Sequence, residues 1–267
     1  MKKDGLNKKK FWTDWFYMIL PVITVVLFLG IWQILSSTHV IDPGKAASPV
    51  DIGKAFVFKL SNNGPDGSLL TTNILSSMSV ALAGFLLASV IGIPLGLFMG
   101  WYPIFDKFMK PIFEIIRPIP PVAWIPIIIL WIGLGLPAKA LIIFLAAFVP
   151  CVINTYAGIR QTSPALINVA KTFGASNFYT FVHIGIPSSV PMMFAGLRVA
   201  LANSWATLVA AEMLSASSGL GFMISMARSF MRIDIVMMGM IVIGIIGFIF
   251  TGLFSLLEKK VLKGRAV

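Results

Sequence analysis

Residues 163–187, SPALINVAKTFGASNFYTFVHIGIP, interrupt two strongly apolar segments and are punctuated like a folded hairpin. Ser163 is a favourable N-cap, and Pro164 suits the first helical position, where its missing N–H costs nothing. Leu166, Val169, Ala170 and Phe173 recur at i, i+3, i+4 and i+7, placing one apolar stripe on a short helix. Gly174 follows where a helix ends in a left-handed residue. Ser176 or Asn177 caps a second helix carrying Phe178, Phe181 and Val182, and Pro187 is expected to close it. The spacing predicts a helix–turn–helix hairpin with an apolar side to offer.

The flanking segments say where the hairpin sits. Of 267 residues, 58% are hydrophobic and only 12% charged, with a mean hydropathy of +0.92. A soluble domain carries about a quarter charged residues. The apolar residues come in runs of the roughly 20 that a helix needs to cross a bilayer. The chain therefore reads as an all-α membrane protein with six transmembrane helices, at about 16–35, 74–99, 118–135, 138–159, 188–214 and 235–257. Basic tails at 1–15 and 258–267 enclose this transmembrane domain. The first apolar run is too long for a signal-peptide core and lacks a small-residue cleavage site close behind it, so it is read as a retained span. Phe11, Trp12, Trp15 and Tyr17 before it read as an interfacial aromatic cluster.

Between spans, residues 36–70 are the most polar part of the chain, with turn signals at Pro43-Gly44 and Asn62-Asn63-Gly64-Pro65. Residues 49–60 between them predict a short helix lying on the surface. Gly92, Gly96 and Gly100 repeat every four residues at the end of the second span and allow a neighbouring helix to approach closely. Residues 117–135, RPIPPVAWIPIIILWIGLG, carry Pro118, Pro120, Pro121 and Pro126, which no continuous α-helix tolerates. Broken backbone at membrane depth survives only inside protein or against a cavity, so this third span is expected to be kinked.

Net charge is +11, but its distribution excludes nucleic-acid binding as the explanation. With the tails inside, inner segments hold 14 Lys and Arg and outer segments six, leaving Arg198 alone within a span. This bias puts both tails and the hairpin in the cytoplasm. No phosphate-binding Gly-x-x-x-x-Gly-Lys-Ser/Thr run occurs, since Gly44-Lys45 and Gly53-Lys54 are each followed by Ala. One cysteine and two histidines assemble neither a disulfide framework nor a metal or nucleophilic set. The spans also lack the several carboxylates of a proton relay. These absences favour transport driven by a separate motor over enzymatic activity. No catalytic residue, metal site or bound cofactor is expected on this chain.

The hairpin resembles the cytoplasmic signature of binding-protein-dependent ABC importer permeases of type I: Glu-Ala-Ala, three residues, Gly, nine residues, Ile-x-Leu-Pro. Here Asn168-Val169-Ala170, Gly174 and Ile184-Gly185-Ile186-Pro187 keep that spacing, with Asn168, Val169 and Ile186 departing in identity. SPVDIGKAF, IGIPLGLFMG, RPIPPVAWIPIIILWIGLG and NSWATLVAAEMLSASSGLGFMI extend the likeness from about residue 49 to the last span, and are most similar to the nitrate/sulfonate/taurine branch.

The resemblance implies a permease homodimer in a bacterial inner membrane, two cytoplasmic ATP-binding subunits that hold ATP and Mg²⁺, and an extracytoplasmic solute-binding protein. It assigns contact with the ATPase to Leu166, Asn168, Val169, Ala170, Phe173, Gly174, Ile184 and Pro187. The implied solute is an organic sulfonate, taurine or a nitrate-like anion; a thiamine-precursor pyrimidine, bicarbonate or an aromatic acid remain alternatives. An ion-coupled secondary transporter is the rival class. Candidate pathway residues are Arg198, Asn203, Ser204, Trp205 and Glu212. Arg198 is a charge inside a span, which needs a partner or a water-filled path.

Overall fold

The computed structural model describes residues 4–263 apart from His39, Pro43 and Ala216, with side chains from residue 19 onward except Ser215. The side chains of Phe11, Trp12, Trp15 and Tyr17, Pro43 of the first turn signal, and the outermost tail residues lie outside that set. The described elements are helices: α1 (Asp4–Ser37), α2 (Pro49–Ser61), α3 (Leu70–Trp101), α4 (Pro103–Ile116), α5 (Ile125–Ile132), α6 (Leu136–Arg160), α7 (Pro164–Thr172), α8 (Asn177–Thr180), α9 (Ile186–Ser215), α10 (Leu220–Ser229) and α11 (Ile233–Leu262). Among the described residues, five stretches are long and apolar enough to cross a membrane: Ile19–Ser37, Leu70–Trp101, Leu136–Arg160, Asn177–Leu214 and Ile233–Leu262.

The third predicted span takes a different form. Residues 118–135 do not make one kinked helix. A 3₁₀ turn, Pro121–Trp124, leads into α5, and Pro121–Ile132 lies 81° from α4. Pro121 opens the turn and Pro126 sits in the first turn of α5, where a missing N–H is tolerated. At eight residues α5 is ~12 Å long, well short of a bilayer core. Only α4 and α5 together could make a sixth crossing. In the basic tail, α1 is already helical from Asp4 and runs unbroken into the apolar stretch.

The centre of the fold is α3, α6 and α9, held together by missing side chains. A Cβ on Gly92 would meet Cys151 Cβ at 2.9 Å, one on Gly96 the Val152 carbonyl at 2.6 Å, and one on Gly100 would overlap Ile159. The expected glycine stripe therefore packs on α6, and Gly84 extends it by a further contact with Ile143 Cβ at 2.6 Å. Gly158 and Gly196 do the same between α6 and α9, against Met192 and Asn154. Lipid supplies no hydrophobic drive between helices, so such backbone approach and its dispersion contacts do the holding.

The helix at 49–61 is not merely laid on a surface. Ser48 caps it, its Oγ accepting from the Asp51 amide at 3.1 Å, and Ile52, Ala55 and Lys59 are buried. Lys59 is 0% exposed, donating to Asp66 Oδ1 at 2.6 Å and to the Ser68 carbonyl at 2.5 Å. The helix packs on α11, with Ile52 and Ala55 in one cluster with Ile235 and Met238.

Candidate functional site

In the hairpin, Pro164 opens α7 as expected, but Ser163 makes no side-chain cap hydrogen bond. The other end follows the sequence closely. Gly174 has φ +77°, its N–H donates to the Lys171 carbonyl at 2.9 Å, and the Ala175 N–H to that of Ala170 at 3.0 Å. That pair of bonds is a Schellman closure, which requires the left-handed residue glycine supplies. Ser176 caps α8, accepting from the Tyr179 amide at 3.2 Å.

Pro187, however, does not close the hairpin. The chain passes from α8 through a π-turn, Phe181–Gly185, directly into α9, and Pro187 lies in the first turn of that helix. A first-turn proline needs no N–H partner, so the motif's final residue marks a span beginning rather than a hairpin corner. Ile184, its companion in the motif, is half-buried within the π-turn.

The hairpin leaves its apolar stripe uncovered. Leu166, Val169 and Phe173 are exposed, Phe173 at 87%, with Phe178 and Tyr179 beside them. Asn168 is exposed on α7 and Ala170 half-buried. The root of the hairpin is rigid by contrast. Trp101, ending α3, donates its indole N–H to Asn177 Oδ1 at 3.1 Å, and its ring stands where a Cβ on Gly185 would be, 2.7 Å away. Phe181 is buried among Phe98, Trp101 and Tyr102 at centroid distances of 5.6–5.7 Å. Trp101 was not singled out from the sequence; the signal that could have found it is glycine at position 185, three residues before the apolar span resumes.

The five pathway candidates do not converge. Arg198 forms an ion pair with Glu258 of α11, and Asn203 is exposed on the same uncovered stripe of α9, with Ala202 and Ala206 between and beyond. Ser204 and Trp205 point the other way, into the protein. Trp205 donates to the Ile243 carbonyl at 3.0 Å and stacks edge-on against Phe250, so it fastens α9 to α11. Ser204 is fully buried, and its hydroxyl has no partner among the described residues.

Glu212 lies at the far end of α9 from the hairpin and is fully buried. Ser77 donates to its carboxylate at 2.8 Å and the Gly221 amide donates at 2.9 Å. The adjoining Leu220 and Gly219 amides donate to Ser77 Oγ at 2.9 Å and Asn73 Oδ1 at 3.0 Å. The three successive amides that enter α10 are thus served by α3 and α9, with the carboxylate at the positive helix end. Gly219, at φ +117°, is obligatory, since any Cβ would overlap the Glu212 carboxylate. Asn73 and Ser77 were not singled out from the sequence, because their partners lie more than 130 residues away.

A bundle of long apolar helices, glycine-packed at its centre and presenting an uncovered apolar hairpin at one end, is the architecture of a multi-pass membrane protein with one apolar face left open. The chain belongs to the family of binding-protein-dependent transport system inner membrane components, whose family model matches residues 92–263. It is 33% identical to the taurine transport system permease protein TauC of Escherichia coli over 86% of this chain and 84% of that one. It is also 33% identical to the nitrate import permease protein NrtB of Synechocystis, over 91% and 89%. In fold it matches inward-facing structures of the MetNI methionine ABC transporter, with a TM-score of 0.61 at 15% identity, covering 74% of this chain and 96% of that one. The protein is thus a multi-pass permease component of a type I ABC importer, a subunit that leaves ATP hydrolysis to a separate ATPase.

Proposed function

We propose that this permease imports a small anion, an organic sulfonate such as taurine or a nitrate-like oxyanion, delivered by an extracytoplasmic solute-binding protein. It works as a homodimer with two ATP-binding subunits that carry ATP and Mg²⁺, and both of its termini and the hairpin face the cytoplasm. The observation that carries the reading is the uncovered stripe Leu166, Val169 and Phe173 on a hairpin whose root is packed and hydrogen-bonded to α3. An apolar face of this kind in water is costly unless a partner covers it. ATP binding draws the two ATPase subunits together, carries the docked hairpins with them and opens the path outward; hydrolysis resets it. Trp101 and Phe181 give that motion a stiff route into α3. Arg198 and Asn203, both exposed on α9, are the residues we assign to the face toward the partner permease and the path between the two copies, and Ser204, Trp205 and Glu212 those we assign to holding the helices.

The test is reconstitution of the chain with its cognate ATP-binding subunit and solute-binding protein, followed by uptake of labelled taurine or nitrate. Uptake should require ATP inside and binding protein outside, and persist when ion gradients are collapsed. Uptake that survives loss of ATP but fails with the gradient would establish the secondary-transporter alternative instead.

A further inference from the structure

At the end of the bundle opposite the hairpin, a cavity of about 290 Å³ opens between α3, the α5–α6 turn and the α9–α10 turn. Its polar lining is Ser76, Ser217, Ser218 and Lys139, with the backbone of Gly135 and Leu136. Lys139 is only 5% exposed, yet it has no hydrogen bond or ion pair among the described residues. Burying an ammonium without a direct partner is expensive, and proteins tolerate it chiefly where a ligand or water completes the site. The carboxylate of Glu212 interacts with Lys139 through space. Its oxygens are already taken by Ser77 and the Gly221 amide.

Two further features add positive potential at the same place. The cavity meets the N-terminus of the 25-residue α6, whose N-cap is Gly135 and so supplies no side-chain oxygen. The first-turn amides of Leu136 and Ala138 therefore have no side-chain cap, in contrast to the side-chain acceptors that serve the amides of residues 219–221 at the start of α10. Helix N-termini with open amides favour anions. Ser76 and Ser218 hydroxyls lie 3.0 Å apart, so one donates to the other and a second O–H remains for the cavity.

We infer that this cavity is a small-oxyanion site, in which Lys139, the α6 N-terminus and the Ser76–Ser218 pair receive the nitrate-like or sulfonate group of the solute. The site takes planar or tetrahedral oxyanions with a few waters, which its volume accommodates at roughly 30 Å³ per water. Lys139 and Arg160 are 21 residues apart on one helix, or ~32 Å, so the site stands at the opposite membrane face from the hairpin. This rests on the importer reading, under which that face is where the binding protein releases its cargo.

The experiment is an anion titration of the full-length chain in lipid nanodiscs, read by the shift of its melting temperature in sodium nitrate, methanesulfonate or bicarbonate against sodium gluconate. Wild type should be stabilised by at least one oxyanion over gluconate. Lys139→Gln should weaken that binding at least tenfold, while Lys139→Arg stays within about threefold. No oxyanion-specific shift in wild type, or an unchanged affinity in Lys139→Gln, overturns the inference and leaves Lys139 as a distant counter-charge to Glu212. If Lys139→Gln does not reach the membrane, Ser218→Ala carries the test, with a loss of about threefold expected and unchanged affinity overturning the site. The titration involves no ATPase, so a wild type that binds oxyanions but captures no ATPase would sink the importer reading alone.

Discussion

Arg198, twelve residues into α9, and Glu258, near the end of α11, form an ion pair that ties the last span to the helix entering from the hairpin. The Arg198 side chain is 46% exposed and that of Glu258 13%, so the guanidinium balances its partner while still showing a face outward. A pair this open contributes little to stability, roughly 0–1 kcal/mol. Its importance lies in placing a positive charge on the uncovered stripe of α9. Arg198→Gln should therefore cut reconstituted uptake of taurine or nitrate at least tenfold, with the melting temperature nearly unchanged and ATPase capture intact. Unchanged uptake would leave Arg198 as a helix tie and nothing more.

The glycine contacts between α3 and α6 make a sharper stability prediction. A Cβ at Gly96 meets the Val152 carbonyl at 2.6 Å and Thr155 Cβ at 2.8 Å, and a backbone atom cannot rotate away. Gly96→Ala is expected to destabilise the protein by about 1–3 kcal/mol, as overpacking does. Gly30 of α1 has nothing within 4 Å, so Gly30→Ala should be neutral or slightly stabilising through helix propensity. Melting curves of the two variants in nanodiscs check this. Equal melting temperatures would mean that α3 and α6 can separate at no cost.

Lys59 and Asp66 are both fully buried, and Asn73 Nδ2 donates to the second oxygen of Asp66 at 2.7 Å. Removing one member leaves an uncompensated charge, at a cost of about 3–5 kcal/mol, whereas replacing both by apolar groups is often tolerated. Lys59→Met should thus lower the melting temperature strongly, and adding Asp66→Leu should recover most of the loss. A double variant no better than the single would show that the Asn73 and Ser68 bonds, rather than the charge pair, carry this corner.

The parts of this protein that sequence made legible are those whose physics is local. Apolar run length marks the long spans, glycine spacing on α3 marks a close helix approach, and the cap chemistry around Gly174 marks the hairpin turn. The third span is broken as expected, but four prolines announce a break without saying where its two halves lie or how far the chain bends, and α4 before them turns out to be half of the bent pair. Pro187 was read as a terminator, although proline also suits a helix's first turn, and only the π-turn before it decides between the two. The Glu212, Ser77 and Gly221 arrangement and the Lys139 cavity were illegible for another reason. Their members come from three or four segments, and although Glu212 stood out as an acid within the fifth span, its neighbours Ser77, Gly221 and Lys139 are each, alone, an ordinary serine, glycine or lysine.

The hairpin permits a prediction on the one position where sequence departs from the family's acid. Asn168 is exposed on α7, its carbonyl accepts from Thr172 Oγ1 at 3.0 Å, and its side chain makes no hydrogen bond among the described residues. Nothing in the fold therefore requires asparagine there, and Asn168→Glu should fold normally. If docking depends chiefly on the apolar stripe, Phe173→Asp, which places a charge at its most exposed member, should abolish ATPase capture by more than tenfold. Asn168→Glu should then change it by less than about threefold. Gly174→Ala should fall between them, because a non-glycine residue at φ +77° is strained by roughly 1–2 kcal/mol and loosens the turn rather than the contact face. Copurification of the ATPase with each full-length variant measures the order. A loss for Asn168→Glu as large as that for Phe173→Asp would mean that the partner's groove has changed its charge to suit asparagine, and that polar matching outweighs the apolar stripe.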